Sequence, residues 1–184
     1  IEKFKMSGKK VVSYGAIYNQ AAYLLASFSN EIYMHPQGAT LLYGYGGYQN
    51  YFLGFLEKIN AEVQLFRVGK YKSAMEPFIR SDMSSEAKAV SRELYGGLWD
   101  DYVSEVARQR SLDENEIKLG IENADQLLME LDGDLGQLAL KSSLIDGLKT
   151  RAEWVSYMQE QVGKGDKKQE INQIYLRDYL SLKM

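Results

Sequence analysis

An α/β fold is predicted by three features of the 184-residue sequence. Residues 9–14 (KKVVSY) form a β-branched run closed by Gly15. Ile17, Ala21, Leu24, Leu25 and Phe28 then recur at helical spacing, so residues 17–28 read as a buried helix. A strand–helix–strand succession returns between residues 40 and 68.

The elements follow in order. Small Ala21, Ala22 and Ala26 let the first helix pack closely, and Ser29-Asn30 ends it. Residues 31–34 read as a short strand and Pro36-Gln37-Gly38 as a turn. Strand 40–43 runs into the turn Gly44-Tyr45-Gly46-Gly47, and residues 51–59 form a second amphipathic helix. Strand 62–68 alternates as Val63, Leu65 and Arg67 and ends at Gly69. Ser84 or Ser85 can N-cap a long helix with Glu86 in its first turn. Its stripe is Val90, Leu94, Leu98, Tyr102 and Val106, and it runs to about Arg110. Ser111-Leu112-Asp113-Glu114 has capping-box spacing and starts a short helix that Gly120 breaks. Residues 124–131, 135–143 and 152–161 are further helices. Residues 163–168 (GKGDKK) read as a mobile hinge, and alternation over 170–180 predicts a late strand. The expected organisation is an α/β core over residues 1–82, a helical extension over 83–162, and a hinge with a late strand over 163–184.

Composition removes several function classes. With 45% hydrophobic and 26% charged residues, the chain is not disordered, collagenous or a coiled coil. A net charge of −3 argues against a duplex-coating nucleic-acid protein. There is no cysteine, which excludes disulfides, thiolate nucleophiles, zinc–thiolate sites and iron–sulfur clusters. The single histidine, His35, excludes a multi-histidine metal site, and a Ser-His-Asp triad would have to use it. Its place before Pro36 reads as a turn residue. No apolar run approaches the roughly 18 residues of a membrane span. The chain opens at Ile1 with no initiator Met and no signal-peptide pattern, which predicts a piece of a longer protein with any anchor outside it.

Few segments can carry chemistry. The turn from Gly44 to Gly47 lacks the following Lys and Ser/Thr of a phosphate loop, so it reads as structural. Asp100-Asp101 reads as solvated charge, and Asp132-Gly133-Asp134 lacks the ligand ladder of a calcium loop. No cofactor and no metal site is expected. The run Phe66-Arg67-Val68-Gly69-Lys70-Tyr71-Lys72-Ser73-Ala74-Met75-Glu76-Pro77-Phe78 is different. Pro77 biases Glu76 away from helix, so any helix near Ser73 is very short and Lys72 sits on a tight corner. From there a side chain can project into a cleft, although residue pattern alone reads such a lysine first as surface charge.

FRVGKYKSAMEPFIR, followed one residue later by DMS, resembles the lysine motif of the bacterial signal peptide peptidase A (protease IV) family. The resemblance extends to YNQAAYLLASFSNEIYMHPQG before it, to the helix containing Trp99 after it, and to residues 138–148. It covers essentially the whole chain and matches the amino-terminal half of the family's long, duplicated form.

That resemblance implies a ClpP/crotonase-like α/β fold, truncated here at its amino-terminal side and followed by a helical extension. It implies a serine endopeptidase with a Ser-Lys dyad that degrades cleaved signal peptides at the periplasmic face of the bacterial inner membrane. Lys72 is then the general base, and the serine comes from the carboxy-terminal half. Aligning Tyr23-Leu24-Leu25-Ala26 with the serine-bearing half puts Gln20 at the serine position, and Gln cannot be the nucleophile. Ser73 is adjacent to Lys72, where side chains rarely face each other productively. The implied partners are signal peptides or other apolar peptides, the serine-bearing half and further copies in a homo-oligomer, with no nucleic acid. The isolated chain is expected to be inactive.

A lysine base must be neutral to accept a serine proton. Holding a group of pKa ~10.4 neutral at pH 7 costs ~4.6 kcal/mol. Desolvation can supply this, with Tyr71, Met75 and Phe78 as apolar candidates. Glu76 would oppose neutrality if close, so its carboxylate is expected to pair with a cation such as Arg80 or to cap backbone donors. Oxyanion stabilisation is expected from backbone N–H groups beside the serine. Tyr43, Tyr45, Tyr48 and Tyr51 could line a peptide cleft or equally form a rim or subunit contact. Two rival readings are a catalytically idle scaffold half and a crotonase-like acyl-CoA enzyme, the latter without a recognisable adenine-nucleotide site.

Overall fold

The computed structural model describes residues 1–66, 69, 72–166 and 169–182. The chain forms two compact units, one of Ile1–Leu42 with Val106–Met184 and the other of Tyr43–Glu105. This division is not the linear one at residues 82 and 162, because α5 (Ser85–Arg110) contributes its last turn to the first unit.

The first unit holds a three-stranded parallel sheet in the order β1-β2-β3. A short α1 (Glu2–Lys5), not foreseen in the sequence, precedes β1 (Val12–Asn19). Helix α2 (Gln20–Ser27) crosses to β2 (Glu31–Leu41). The expected helix start at residue 17 is corrected to Gln20, because Asn19 caps it by accepting a hydrogen bond from Ala22 N at 2.9 Å. Residues 17–19 stay in the strand.

The expected break between strands 31–34 and 40–43 is also corrected. β2 runs through Pro36, and its surplus residues bulge out between the pairs Gly15↔Met34 and Ile17↔Ala39. Gly38 makes this possible. A Cβ there would lie 2.2 Å from the Ala16 carbonyl oxygen, so no side chain fits. His35 belongs to the bulge, where its Nδ1 accepts from Gln37 N at 3.1 Å.

The third strand, β3 (Gly147–Leu148), was not expected as a strand. It pairs with Tyr33 and Met34 and is secured by polar contacts. Asp146 Oδ2 accepts from Ile32 N at 2.7 Å, and Arg110 grips the same carboxylate with Nη2 at 2.8 Å and Nη1 at 3.1 Å. The unit's core contains the fully buried Tyr23, Ile32, Met34 and Val106. The Tyr23 hydroxyl donates to the Leu144 carbonyl at 2.6 Å, which satisfies its polar end inside that core.

Around this sheet lie α6 (Glu114–Glu122), α7 (Ala124–Glu130), α8 (Leu135–Lys141) and α9 (Arg151–Val162). Asp113, not Ser111, caps α6, accepting from Asn115 N at 2.8 Å and Glu116 N at 3.2 Å, while Ser111 takes a left-handed φ of 55°. Gly120 lies inside α6 and does not break it. Thr150 and Glu153 form a capping box at the start of α9. Trp154 then stacks on Tyr14 with centroids 4.6 Å apart, which docks α9 on the sheet.

The late strand over 170–180 is overturned. Ile171 makes an isolated bridge to Lys164, and α10 (Leu176–Ser181) follows. Over residues 176–181 the apolar positions fall on a helix instead of alternating along a strand. The described part of the GKGDKK segment is tied back by Asn172 N to Gly163 O at 3.1 Å and Gln169 N to Asp166 O at 3.1 Å. Lys167 and Lys168 lie outside the described residues.

The second unit contains α3 (Leu53–Lys58), the single turn α4 (Glu76–Ile79) and most of α5. Residues 62–66 form no strand, which corrects that expectation, and Arg67 and Val68 lie outside the described residues.

Candidate active site

Lys72 belongs to the second unit and is exposed. Gly69 approaches it with φ 107°, a conformation that a Cβ would strain. Lys70 and Tyr71 lie outside the described residues. Immediately after Lys72 the backbone turns sharply. Glu76 N donates to Ser73 O at 2.9 Å, Phe78 N to Met75 O at 3.0 Å, and Arg80 N to Glu76 O at 3.0 Å. Pro77 sits near the start of α4, where its missing N–H costs nothing. The helix after Ser73 is a single turn, as expected, but Glu76 is its first residue, which corrects the expected bias of Glu76 away from helix.

Glu76 is the fully buried side chain of this corner, at 2% exposure. Its Oε2 accepts from Ser84 N at 3.0 Å and its Oε1 from Ser84 Oγ at 2.5 Å. Ser84 Oγ in turn accepts from Ala87 N at 3.2 Å, which makes Ser84 the N-cap of α5. Of the two expectations for Glu76, capping holds. Arg80 instead pairs with Asp82, with Nη2 to Oδ1 at 3.1 Å. Asp82 also binds Lys88 at 3.1 Å, and hydrogen bonds from Lys88 and Arg80 hold its carboxyl below the usual range.

The other side of the corner is aromatic. Phe52 N donates to Pro77 O at 2.6 Å, and the Phe52 and Phe78 rings stack with centroids 5.8 Å apart. Ser73, Tyr51, Phe78 and Val90 line a cleft of 360 Å³ beside it. A second groove of 660 Å³ is walled by Tyr45, Tyr48, Tyr95 and Trp99. Tyr45 meets the Trp99 ring edge-on at 6.3 Å, and Trp99 stacks on Tyr102 at 5.3 Å. The tyrosines singled out in the sequence thus separate, Tyr51 to the first cleft and Tyr45 and Tyr48 to the second.

Met75 and Phe78, expected to desolvate the lysine, are themselves 37% and 39% exposed. Gln20 is the first residue of α2 in the first unit and is buried. The site residue that sequence reasoning missed is Ser84 as the partner of Glu76. Ser84 was visible as a cap, but eight positions of separation carry no local signal of that pairing.

The sequence profile of peptidase family S49 matches residues 3–164. The chain belongs to peptidase family S49. Among curated proteins, this S49 chain is 35% identical over 179 residues to Protease 4 of Salmonella typhi, covering 97% of the chain and 29% of that protein. It is 37% identical over 184 residues to Protease 4 of Haemophilus influenzae, with 98% and 29% covered. It is 30% identical over 173 residues to a chloroplastic serine protease SPPA of Arabidopsis thaliana, with 91% and 24% covered. The S49 chain therefore spans under a third of the length of these relatives. The Lys72 corner falls within the matched residues.

Proposed function

We propose that this chain is the lysine-bearing half of a serine endopeptidase, in which Lys72 serves as general base. The observation that carries the reading is the corner after Lys72, locked by a buried carboxylate and lying inside the S49 match. A parallel sheet with flanking helices fits a ClpP-like fold for the half.

In this reading the serine belongs to the carboxy-terminal half. Neutral Lys72 Nζ takes the proton from the serine hydroxyl while its oxygen attacks the peptide carbonyl carbon. The resulting ammonium gives the proton to the departing amine, and water then hydrolyses the ester. Both Glu76 oxygens accept from Ser84 at the start of α5. In this reading the serine-bearing half supplies the apolar enclosure of Lys72, which is exposed in this chain. The isolated half is then inactive.

The substrates proposed are cleaved signal peptides or other apolar peptides. The aromatic groove at Tyr45, Tyr48, Tyr95 and Trp99 supports this, since flat rings suit extended apolar chains. The proposed setting is a homo-oligomer at the periplasmic face of the bacterial inner membrane. Among the described residues no helix is long and apolar enough to cross a membrane.

The exposure of Lys72 also favours one second reading, an idle scaffold half that shapes the peptide channel. Peptide hydrolysis by the full-length protein separates the two. A loss of about 10²–10⁴-fold in turnover for Lys72→Ala, with peptide binding retained, is the expected result. Undiminished turnover leaves the scaffold reading.

A further inference from the structure

We propose that Glu76 is a positioning residue for the lysine base, acting through Ser84 rather than through its charge. The inference rests on the reading of Lys72 given above.

Ionised, a buried carboxylate is costly unless donors surround it, and here two donors from one residue do so. Those donors belong to the cap of α5, a helix of 26 residues and the longest element of the chain among the described residues. Glu76 N is at the same time bonded to Ser73 O, the residue next to Lys72. The corner is therefore tied at one end to the backbone beside the lysine and at the other to the frame of the long helix. Apolar packing at the corner is partial, since Phe78 stacks on Phe52 but Met75 and Phe78 stay more than a third exposed. α4 has only four residues and cannot hold its own geometry. The carboxylate thus links the turn at residues 73–76 directly to the start of α5. A displacement of about 1 Å in a reacting group can cost about 10²-fold in rate.

Charge and geometry can be separated. Gln at position 76 keeps the length and can still accept from Ser84 N while donating to Ser84 Oγ. Thr at position 84 keeps both the N–H and the hydroxyl. Ala at either position removes the tie.

The test is kcat and KM for peptide hydrolysis by the full-length protein, with Lys72→Ala, Glu76→Ala, Glu76→Gln, Ser84→Ala, Ser84→Thr and Asp113→Ala side by side. Asp113→Ala removes the α6 cap in the first unit and controls for a general loss of stability. Folded fraction is measured by thermal unfolding for each. Expected are a fall of about 10²-fold in kcat for Glu76→Ala with little change in KM, and a smaller fall for Ser84→Ala. Glu76→Gln and Ser84→Thr should recover most of the rate. A kcat per folded molecule that stays at the wild-type value in Glu76→Ala, as in Asp113→Ala, overturns the positioning role while leaving Lys72 as base. A Glu76→Gln rate as low as that of Glu76→Ala overturns the claim that geometry rather than charge is what matters. Full turnover in Lys72→Ala overturns the base assignment and the positioning role together.

Discussion

In the first unit the central strand buries Ile32 and Met34 completely, and Tyr23 and Val106 close over the same core. Around Lys72 in the second unit, Phe52, Phe55, Met75 and Phe78 stay 37–60% exposed, and the fully buried side chain is a carboxylate. One region is fixed by removing apolar surface from water. The other is fixed by a few directed hydrogen bonds between short segments. Apolar burial is non-directional and makes a stable frame. Hydrogen bonds fix direction, which is what Lys72 needs if it is the base proposed above.

This contrast can be broken by substitution. Ile32→Ala should destabilise the protein by about 2–5 kcal/mol, because it opens a cavity in a fully buried position. Leu94→Ala, at a position 57% exposed on α5, should change stability by less than about 0.5 kcal/mol. Denaturant unfolding of the two variants checks both. Equal losses would show that Leu94 is covered as well as Ile32 is.

A smaller effect separates the units by pH. Burial, and then the charge of Tyr14, push the Tyr18 hydroxyl up to about 12. Burial, and then the Glu31 carboxylate, push Tyr33 up to about 12. A folded-state pKa above the unfolded value of ~10 means these groups stabilise fully below ~10. That contribution is lost as pH rises through about 12. The first unit should therefore weaken over that alkaline window. Tyr18→Phe costs the hydrogen bond to Tyr33 O at 3.0 Å but should flatten the alkaline decline in thermal stability. An unchanged decline would mean that other groups control it.

Much of the frame was legible in the sequence, for local reasons. The parallel strand–helix–strand unit follows from β-branched runs beside an apolar helix, and α5, α7, α8 and α9 follow from helical periodicity and capping residues. The brevity of α4 was legible from Pro77, although Glu76 proved to be helical, and one of two expected roles for Glu76 was observed. What failed depended on distant partners. β2 continues through Pro36 because β1 and α8 sit against it, and a turn signal cannot report that. β3 is two residues long and exists because Asp146 and Arg110 meet across 36 positions. The late strand failed because a short run of alternating apolar residues also fits one face of a short helix, here α10. Ser84 was legible as a cap but not as the partner of Glu76.

The most direct measurement is kcat/KM for peptide hydrolysis by the full-length protein, wild type against Lys72→Ala, from about pH 6 to about pH 11. A rate about 10²–10⁴-fold lower in Lys72→Ala than in the wild type across that range is the predicted result. The same rate in both proteins across that range would contradict Lys72 as the base.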